Sequence, residues 1–233
     1  MLRIAHRGAS ADFPENTVAA FEAAIAAGAD MCELDVHRTA DGAIVVIHDD
    51  TVDRTTAGRG RVAELTLAQI RQFDAGSWFG ASFAAERIPL LSEVLDLAHG
   101  RCALNIELKA PGVAAQVCAM LRDRRAEESS LVSSFDAEAL AHLRSLAPQI
   151  RVGLLASSRP ARALQRAMKL KAAAVNPGFE LVSAEFCAQA HRHGLAIYAW
   201  TVDDPLEMRK MIGAGVDGIM TNHPARLRAL TEF

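Results

Sequence analysis

The sequence predicts an α/β fold, a (β/α)8 barrel of the TIM type with a small insertion after the second strand. Three observations carry this. Short apolar and β-branched runs alternate with Ala-, Leu- and Arg-rich stretches of helical period almost from end to end, which is the pattern of serial βα units on a parallel sheet. Removing one hairpin strand leaves eight βα pairs, the number that closes a barrel in a chain of this size. No Gly-rich phosphate fingerprint follows the first strand, and the units continue evenly to the C-terminus, so an open doubly wound sheet ranks lower.

Strands are expected over residues 3–6, 31–36, 44–48, 103–109, 131–135, 152–155, 173–176, 196–202 and 218–221. Helices are expected over 17–27, 92–98, 113–124, 137–146, 161–169, 184–193, 206–214 and 225–231. Between Val36 and Ile44 there is too little chain for a parallel crossover, which takes about a dozen residues. Asp41-Gly42 is a hairpin turn signal, so the third strand folds back antiparallel on the second. From His48 to Pro89 the βα rhythm breaks into Thr-, Gly- and Arg-rich sequence with a short helical stretch over 67–73 and then Trp78-Phe79-Gly80. The chain reads as one barrel domain over 1–233, with 43–88 as an inserted segment of hairpin, loop and short helix on the face where barrel active sites are built.

Composition narrows the function. With 51% apolar and 23% charged residues over 233 positions, the chain buries a sizeable core and is neither a disulfide miniprotein nor disordered. Lys and Arg number 25 against 28 Asp and Glu, a net charge of −3, so nothing favours nucleic acid as a partner. Cys32, Cys102, Cys118 and Cys187 are scattered without Cys-x-x-Cys spacing and read as reduced core thiols. No run approaches the roughly 18 apolar residues of a membrane span, and a cytoplasmic protein is expected.

Charged residues that interrupt barrel strands mark a site, because a packed strand has little reason to carry them elsewhere. The first strand ends in His6-Arg7-Gly8, the second carries Glu33 and Asp35, the hairpin strand ends in His48-Asp49, and the fourth reads Asn105-Ile106-Glu107-Leu108-Lys109. Strand parity puts Glu33 and Asp35 on one face and Cys32, Leu34 and Val36 on the other, toward the helices. Glu33, Asp35 and Glu107 on the inner face repel one another unless protons or a cation intervene; an all-oxygen set suits Mg2+ or Ca2+ better than zinc. A turn near Asp41-Gly42 pairs residues whose numbers sum to about 82, which puts His48 opposite Leu34 and beside the carboxylates. Two imidazoles, a metal and the cations Arg7 and Lys109 are the parts that phosphodiester cleavage needs.

These residues resemble the glycerophosphodiester phosphodiesterase family. The resemblance rests on His6-Arg7, Glu33-Leu34-Asp35 and His48-Asp49, and continues through Pro14-Glu15-Asn16-Thr17, Asp53-Arg54-Thr55-Thr56, Glu107-Leu108-Lys109, Ser133-Ser134-Phe135, Asn176-Pro177, Trp200-Thr201-Val202 and Thr221-Asn222-His223-Pro224. It covers essentially the whole chain. It implies a distorted barrel and a metal-dependent hydrolase that splits glycerophosphodiesters into sn-glycerol 3-phosphate and an alcohol. In that reading Glu33, Asp35 and Glu107 hold the metal, His6 and His48 are the catalytic pair, Arg7 and Lys109 bind phosphate, and Phe135 and Trp200 line the pocket. The partner is then a small glycerophosphodiester, and oligomeric state stays open. Asn222 departs from the Thr-Asp of many relatives and drops a charge there.

Blander readings stand beside these. His191-Arg192-His193 closes a helix, where alternate residues diverge, and reads as a C-terminal cationic pair. His37, His99, His142 and His223 have no nameable partner. Asp49 and Asp50 position His48 or cap a turn. Trp78 and Phe79 either roof the pocket or form the insertion's own small core. The rival functions are a lysophospholipase D acting on acylated lipids, for which the polar insertion offers little apolar groove, and a non-catalytic barrel that binds glycerophosphodiesters.

Overall fold

The structure, a computed structural model, describes residues 1–231. In chain order the elements are β1 (Leu2–His6), α1 (Val18–Ala26), β2 (Met31–Arg38), β3 (Ile44–Val46), α2 (Leu67–Ile70), α3 (Leu91–Ala98), β4 (Ala103–Leu108), α4 (Ala114–Asp123) and β5 (Ser130–Ser134). They continue as α5 (Ala137–Leu146), β6 (Arg151–Ala156), α6 (Pro160–Lys169), β7 (Ala174–Pro177), α7 (Ala184–Arg192), β8 (Ala196–Ala199), α8 (Pro205–Ala214), β9 (Gly218–Thr221) and α9 (Pro224–Thr231). All strands but β3 are parallel, and β1 bonds to both β2 and β9, so the eight-stranded barrel closes. Each of its strands is followed by an outer helix, as the alternation of the sequence required.

β3 runs antiparallel to β2 with Val36 opposite Val46, His37 opposite Val45 and Arg38 opposite Ile44. Every pair sums to 82, the register that the Asp41-Gly42 turn sets. β1 occupies the same edge of β2 but ends with His6 opposite Glu33. Above that point β2 exchanges β1 for β3, which brings the hairpin's far end over the mouth of the barrel.

Alternation sorts the side chains into two apolar layers. Cys32, Leu34 and Val36 of β2 are fully buried in the layer between sheet and helices. Ile4, Met31, Leu131, Ala174, Tyr198 and Met220 fill the barrel's interior. The chain from β3 to α3 has a third cluster of its own, Val45, Ile47, Val52, Val62, Ile70, Ala75 and Ile88. Outside that cluster Phe13, Phe83, Phe79 and Trp78 meet in successive edge-to-face contacts of 5.4–5.6 Å, so Trp78 and Phe79 pack the insertion against the loop after β1, and neither lines the carboxylate cavity. No helix among the described residues is long and apolar enough to cross a membrane.

Two elements fall three residues short of what the sequence predicts, and β3, expected over 44–48, stops at Val46. α2 stops at Ile70 and not near residue 73, because the Asp74 carboxylate takes the backbone amides of Gly76, Ser77 and Ala85 and draws the chain into a turn. β8 stops at Ala199, three residues early; the chain from Trp200 to Val202 stays tied to its neighbours by single bonds to Pro177 O and Met220 O.

Gly8 follows the strand end that carries His6 and Arg7. Its φ is +83°, and a Cβ there would lie 2.6 Å from the backbone of Ala20 in α1. Gly8→Ala is therefore expected to cost about 2 kcal/mol or more of stability, read as a lower urea midpoint at unchanged slope.

Candidate active site

Three carboxylates converge at the barrel mouth. Glu33 and Asp35 come from β2 and Glu107 from β4, and strand pairing sets Asp35 directly opposite Glu107. An oxygen from each lies within 4.8 Å of the others, and their residues are 2%, 1% and 8% exposed. Burial, and then the charges of Asp35 and Glu107, push Glu33 well above the usual carboxylate range. Glu107 is pushed up to about 7, by burial first and by Asp35 second, against the pull of Lys109. Asp35 Oδ2 accepts from Asn16 Nδ2 at 2.9 Å and lies 3.4 Å from Arg7 Nε, while its Oδ1 has no hydrogen-bond donor. Three mutually repelling buried carboxylates, one with a bare oxygen and no thiolate or imidazole in the cluster, fit a hard divalent cation.

Two imidazoles stand above them, each held from its far nitrogen. His6 Nδ1 is 2.7 Å from Asn222 Oδ1. The Asn222 amide donates Nδ2 to Asp203 at 2.6 Å, and its Oδ1 also takes the Ser10 hydroxyl at 2.7 Å, so only the oxygen can face the ring. His6 is thereby fixed with its proton on Nδ1 and a lone pair on Nε2. Burial and then the neighbouring Arg7 charge lower its pKa from 6.5 to about 4, so the ring is neutral near pH 7. His48 Nδ1 is 2.7 Å from Asp49 Oδ1, and its Nε2 is 3.1 Å from Lys109 Nζ. The His48 carbonyl meets the ring of His37 at 3.1 Å, which gives His37 a partner and pins the turn after β3.

The cations link these groups. Lys109 Nζ donates to Glu107 at 3.0 Å and is 3.7 Å from Asp35. Arg7, at φ 57°, sits in the left-handed region that side chains rarely adopt, and donates to Glu15 at 2.9 Å. Arg54 donates to both oxygens of Asp49 at 2.7 and 3.1 Å and to both of Glu15 at 2.9 and 2.7 Å. This guanidinium thus ties the loop bearing His48 to the loop that holds Arg7. Phe135 and Trp200 meet edge to face at 5.7 Å.

His6, Arg7, Glu33, His48, Glu107, Lys109, Phe135 and Trp200 line one cavity of about 70 Å3, with Asp35 buried behind it. All nine residues that the sequence singles out are brought together. Asn105, Ser133, Leu155 and Met220 complete the wall. Sequence reasoning gave no role to Glu15 or Arg54, although both lie in segments that carry the family resemblance, and it missed the Asn222–Asp203 support of His6.

Comparison with known proteins gives the family. The model of the glycerophosphoryl diester phosphodiesterase family matches residues 6–226. The chain belongs to that family. It is 41% identical to a glycerophosphodiester phosphodiesterase of Caldanaerobacter subterraneus over 97% of this chain and 96% of the relative, and 33% identical to one of Bacillus subtilis over 96% and 84%. Among solved structures, it is similar to a phosphodiesterase of Oleispira antarctica in complex with the product sn-glycerol 3-phosphate (31% identity, TM-score 0.91, covering 97% of this chain and 94% of that one). A family protein from Silicibacter pomeroyi superposes with TM-score 0.90 at 32% identity, covering 97% and 91%.

The raised pKa values give a signed expectation for metal binding. A carboxyl raised from 4.5 to about 7 favours the fold below pH 4.5, and that contribution is lost as pH rises through 7. A cation that takes the ionised form reverses the loss. Saturating Mg2+ or Ca2+ should therefore raise Tm by several degrees more at pH 8 than at pH 5 in parallel thermal melts; an equal rise at both would mean that it binds elsewhere.

Proposed function

We propose that this chain hydrolyses glycerophosphodiesters to sn-glycerol 3-phosphate and an alcohol. The observation that carries this reading is the convergence of two differently held imidazoles and three buried carboxylates on one small cavity, in a member of this family. The Oleispira relative, solved with sn-glycerol 3-phosphate as product, supports the choice of substrate.

In this reading Glu33, Asp35 and Glu107 hold Mg2+ or Ca2+. Bound there, the ion neutralises charge on a phosphate oxygen and so favours attack at phosphorus. Arg7 and Lys109 bind the phosphate beside it, and Phe135 and Trp200 wall the substrate. His6 is the base, because its Nε2 is unprotonated and its Nδ1 proton is committed to Asn222. His48 is assigned the acid because a carboxylate, Asp49, holds its Nδ1 where His6 has only the neutral amide oxygen of Asn222. In that role its proton is on Nε2, and Lys109 Nζ, which donates toward Nε2 from 3.1 Å in the free protein, turns onto the phosphate. His6 takes the proton of the attacking hydroxyl while His48 protonates the departing alcohol. In a glycerophosphodiester the glycerol 2-hydroxyl is the adjacent nucleophile; it gives a cyclic phosphate that water then opens with the two histidines exchanging roles. The four free cysteines accord with a reducing compartment, the cytoplasm.

Purified protein is expected to release sn-glycerol 3-phosphate from glycerophosphocholine with Mg2+ or Ca2+ and not with EDTA. His6→Ala should lower kcat by about 10²–10⁴-fold. Turnover at full rate of a substrate whose 2-hydroxyl is replaced by hydrogen would sink the cyclic route. Arg54→Ala is expected to lower kcat by roughly 10- to 100-fold with KM little changed and with partial rescue by added guanidinium, since Arg54 acts by orienting Asp49 and Glu15.

A further inference from the structure

Beside the carboxylate cavity of about 70 Å3 lies a wider recess of about 360 Å3 that shares Phe135 and Leu155 with it. Its wall is the end of β6, residues 157–159 and the first two turns of α6. Arg159, Arg162 and Arg166 line it: Arg162 and Arg166, four apart, share one face of α6, and Arg159 is the residue that precedes the helix. None of the three side chains makes a hydrogen bond or ion pair with another described residue, and the lining contains no carboxylate. This contrasts with the active-site guanidiniums: Arg7 and Arg54 are both engaged by acids. The Ser157 and Ser158 side chains also line the recess. α6 has no side-chain cap and no acid in its first turn, which leaves the positive end of its dipole uncompensated there.

Size and charge together indicate what this recess meets. The cavity of about 70 Å3 shares Phe135 with two wider recesses, which gives the alcohol of a bound diester two places to extend. Two recesses flank Phe135. The one of about 340 Å3 toward β4 and α5 carries Lys109 together with Asp136 and Glu107, and has no preference for an anion. The one on α6 has three guanidiniums and no counter-charge, which matches a phosphomonoester through charge-assisted, paired N–H donors.

We infer that Arg159, Arg162 and Arg166 form a second anion subsite, and that the enzyme takes glycerophosphodiesters whose alcohol carries a further anionic group, a phosphomonoester above all. The inference rests on the phosphodiesterase reading and specifies its substrate class.

The test compares glycerophosphocholine, glycerophosphoinositol and glycerophosphoinositol 4-phosphate; the two inositol substrates match in the shape of the ring and differ in charge. The phosphorylated one should have a kcat/KM about tenfold above its counterpart without the phosphomonoester at low ionic strength, carried by KM, with the advantage shrinking as salt rises. The R159A/R162A/R166A variant, altered only at exposed positions, should bring the two inositol substrates to parity while its circular dichroism and melting temperature match the parent. Calorimetric titration of glycerophosphoinositol 4-phosphate into the metal-loaded H6A protein, with and without the three arginines, reads the subsite in the absence of turnover. Equal kcat/KM for the two inositol substrates in the parent protein, or a preference that the triple variant keeps, overturns the subsite and leaves the phosphodiesterase reading intact. No hydrolysis of any of the three overturns that reading, and titration then decides the subsite separately: arginine-dependent binding upholds it, and its absence removes it. Arginine-dependent sedimentation with vesicles containing phosphatidylinositol 4-phosphate, without any substrate preference, would assign the patch to a lipid surface and overturn the proposal.

Discussion

The mutual repulsion of Glu33, Asp35 and Glu107 is the constraint around which the barrel mouth is arranged. Two unit charges at 4.8 Å repel by on the order of 3 kcal/mol at an effective dielectric near 20, and three such pairs share one buried corner. Arg7 and Lys109 supply two positive charges against three negative ones, which leaves 2 − 3 = −1 when all three acids are ionised. The protein alone meets this by holding protons, as the raised values of Glu33 and Glu107 express. A divalent cation meets it better, because it replaces those protons and turns repulsion into ligation. The same −1 explains why neither cation is free to leave: each lies against an acid of the cluster.

A site under such internal strain needs rigid support, and the fold supplies it from two directions. The barrel fixes the carboxylates by strand register, since His6, Glu33 and Asn105 occupy one rung and Asp35, Glu107 and Ser133 occupy another. His48 comes from outside that ladder, on an insertion with a separate apolar cluster. Two ties bring it into line. β3 takes over the edge of β2 where β1 ends, and Arg54 clamps Asp49 to Glu15. The exposed position of Arg54 does not make this clamp weak, because it is bidentate on both sides and both acids have other partners that restrain them.

Period-two alternation made most of this legible in the sequence. The inward placement of Glu33, Asp35 and Glu107 follows from apolar neighbours at 32, 34, 36, 106 and 108, and the hairpin register follows from one Asp-Gly turn. What lay hidden was tied to no period. Glu15, Arg54 and Asp203 are charged loop residues, and such residues are mostly solvated, so nothing local distinguishes the ones that clamp a site. Asn222 illustrates the same limit. As an isolated letter it signals a lost charge, while in the fold it is a bifunctional amide whose nitrogen is committed to Asp203 and whose oxygen therefore faces His6. The orientation comes from a partner 19 residues away in sequence.

The barrel's own interior shows what the site costs. Deep in it, Ile4, Met31, Leu131 and Met220 pack as an ordinary apolar core. One layer higher, Asn105, Ser133 and Asn176 are wholly buried, and their side-chain polar atoms have no hydrogen-bond partner in the protein. A buried polar group in that state costs about 1–3 kcal/mol, so apolar residues of similar size would make a more stable barrel. Asn105 and Ser133 line the same cavity as the carboxylates, whereas Asn176 lies outside its wall with its backbone carbonyl holding the indole of Trp200 at 2.7 Å. Two of the three residues of this polar layer thus belong to the cavity wall. At Asn105 and Ser133 stability is given up along the wall of the cavity, and the apolar layers below and outside it carry the fold.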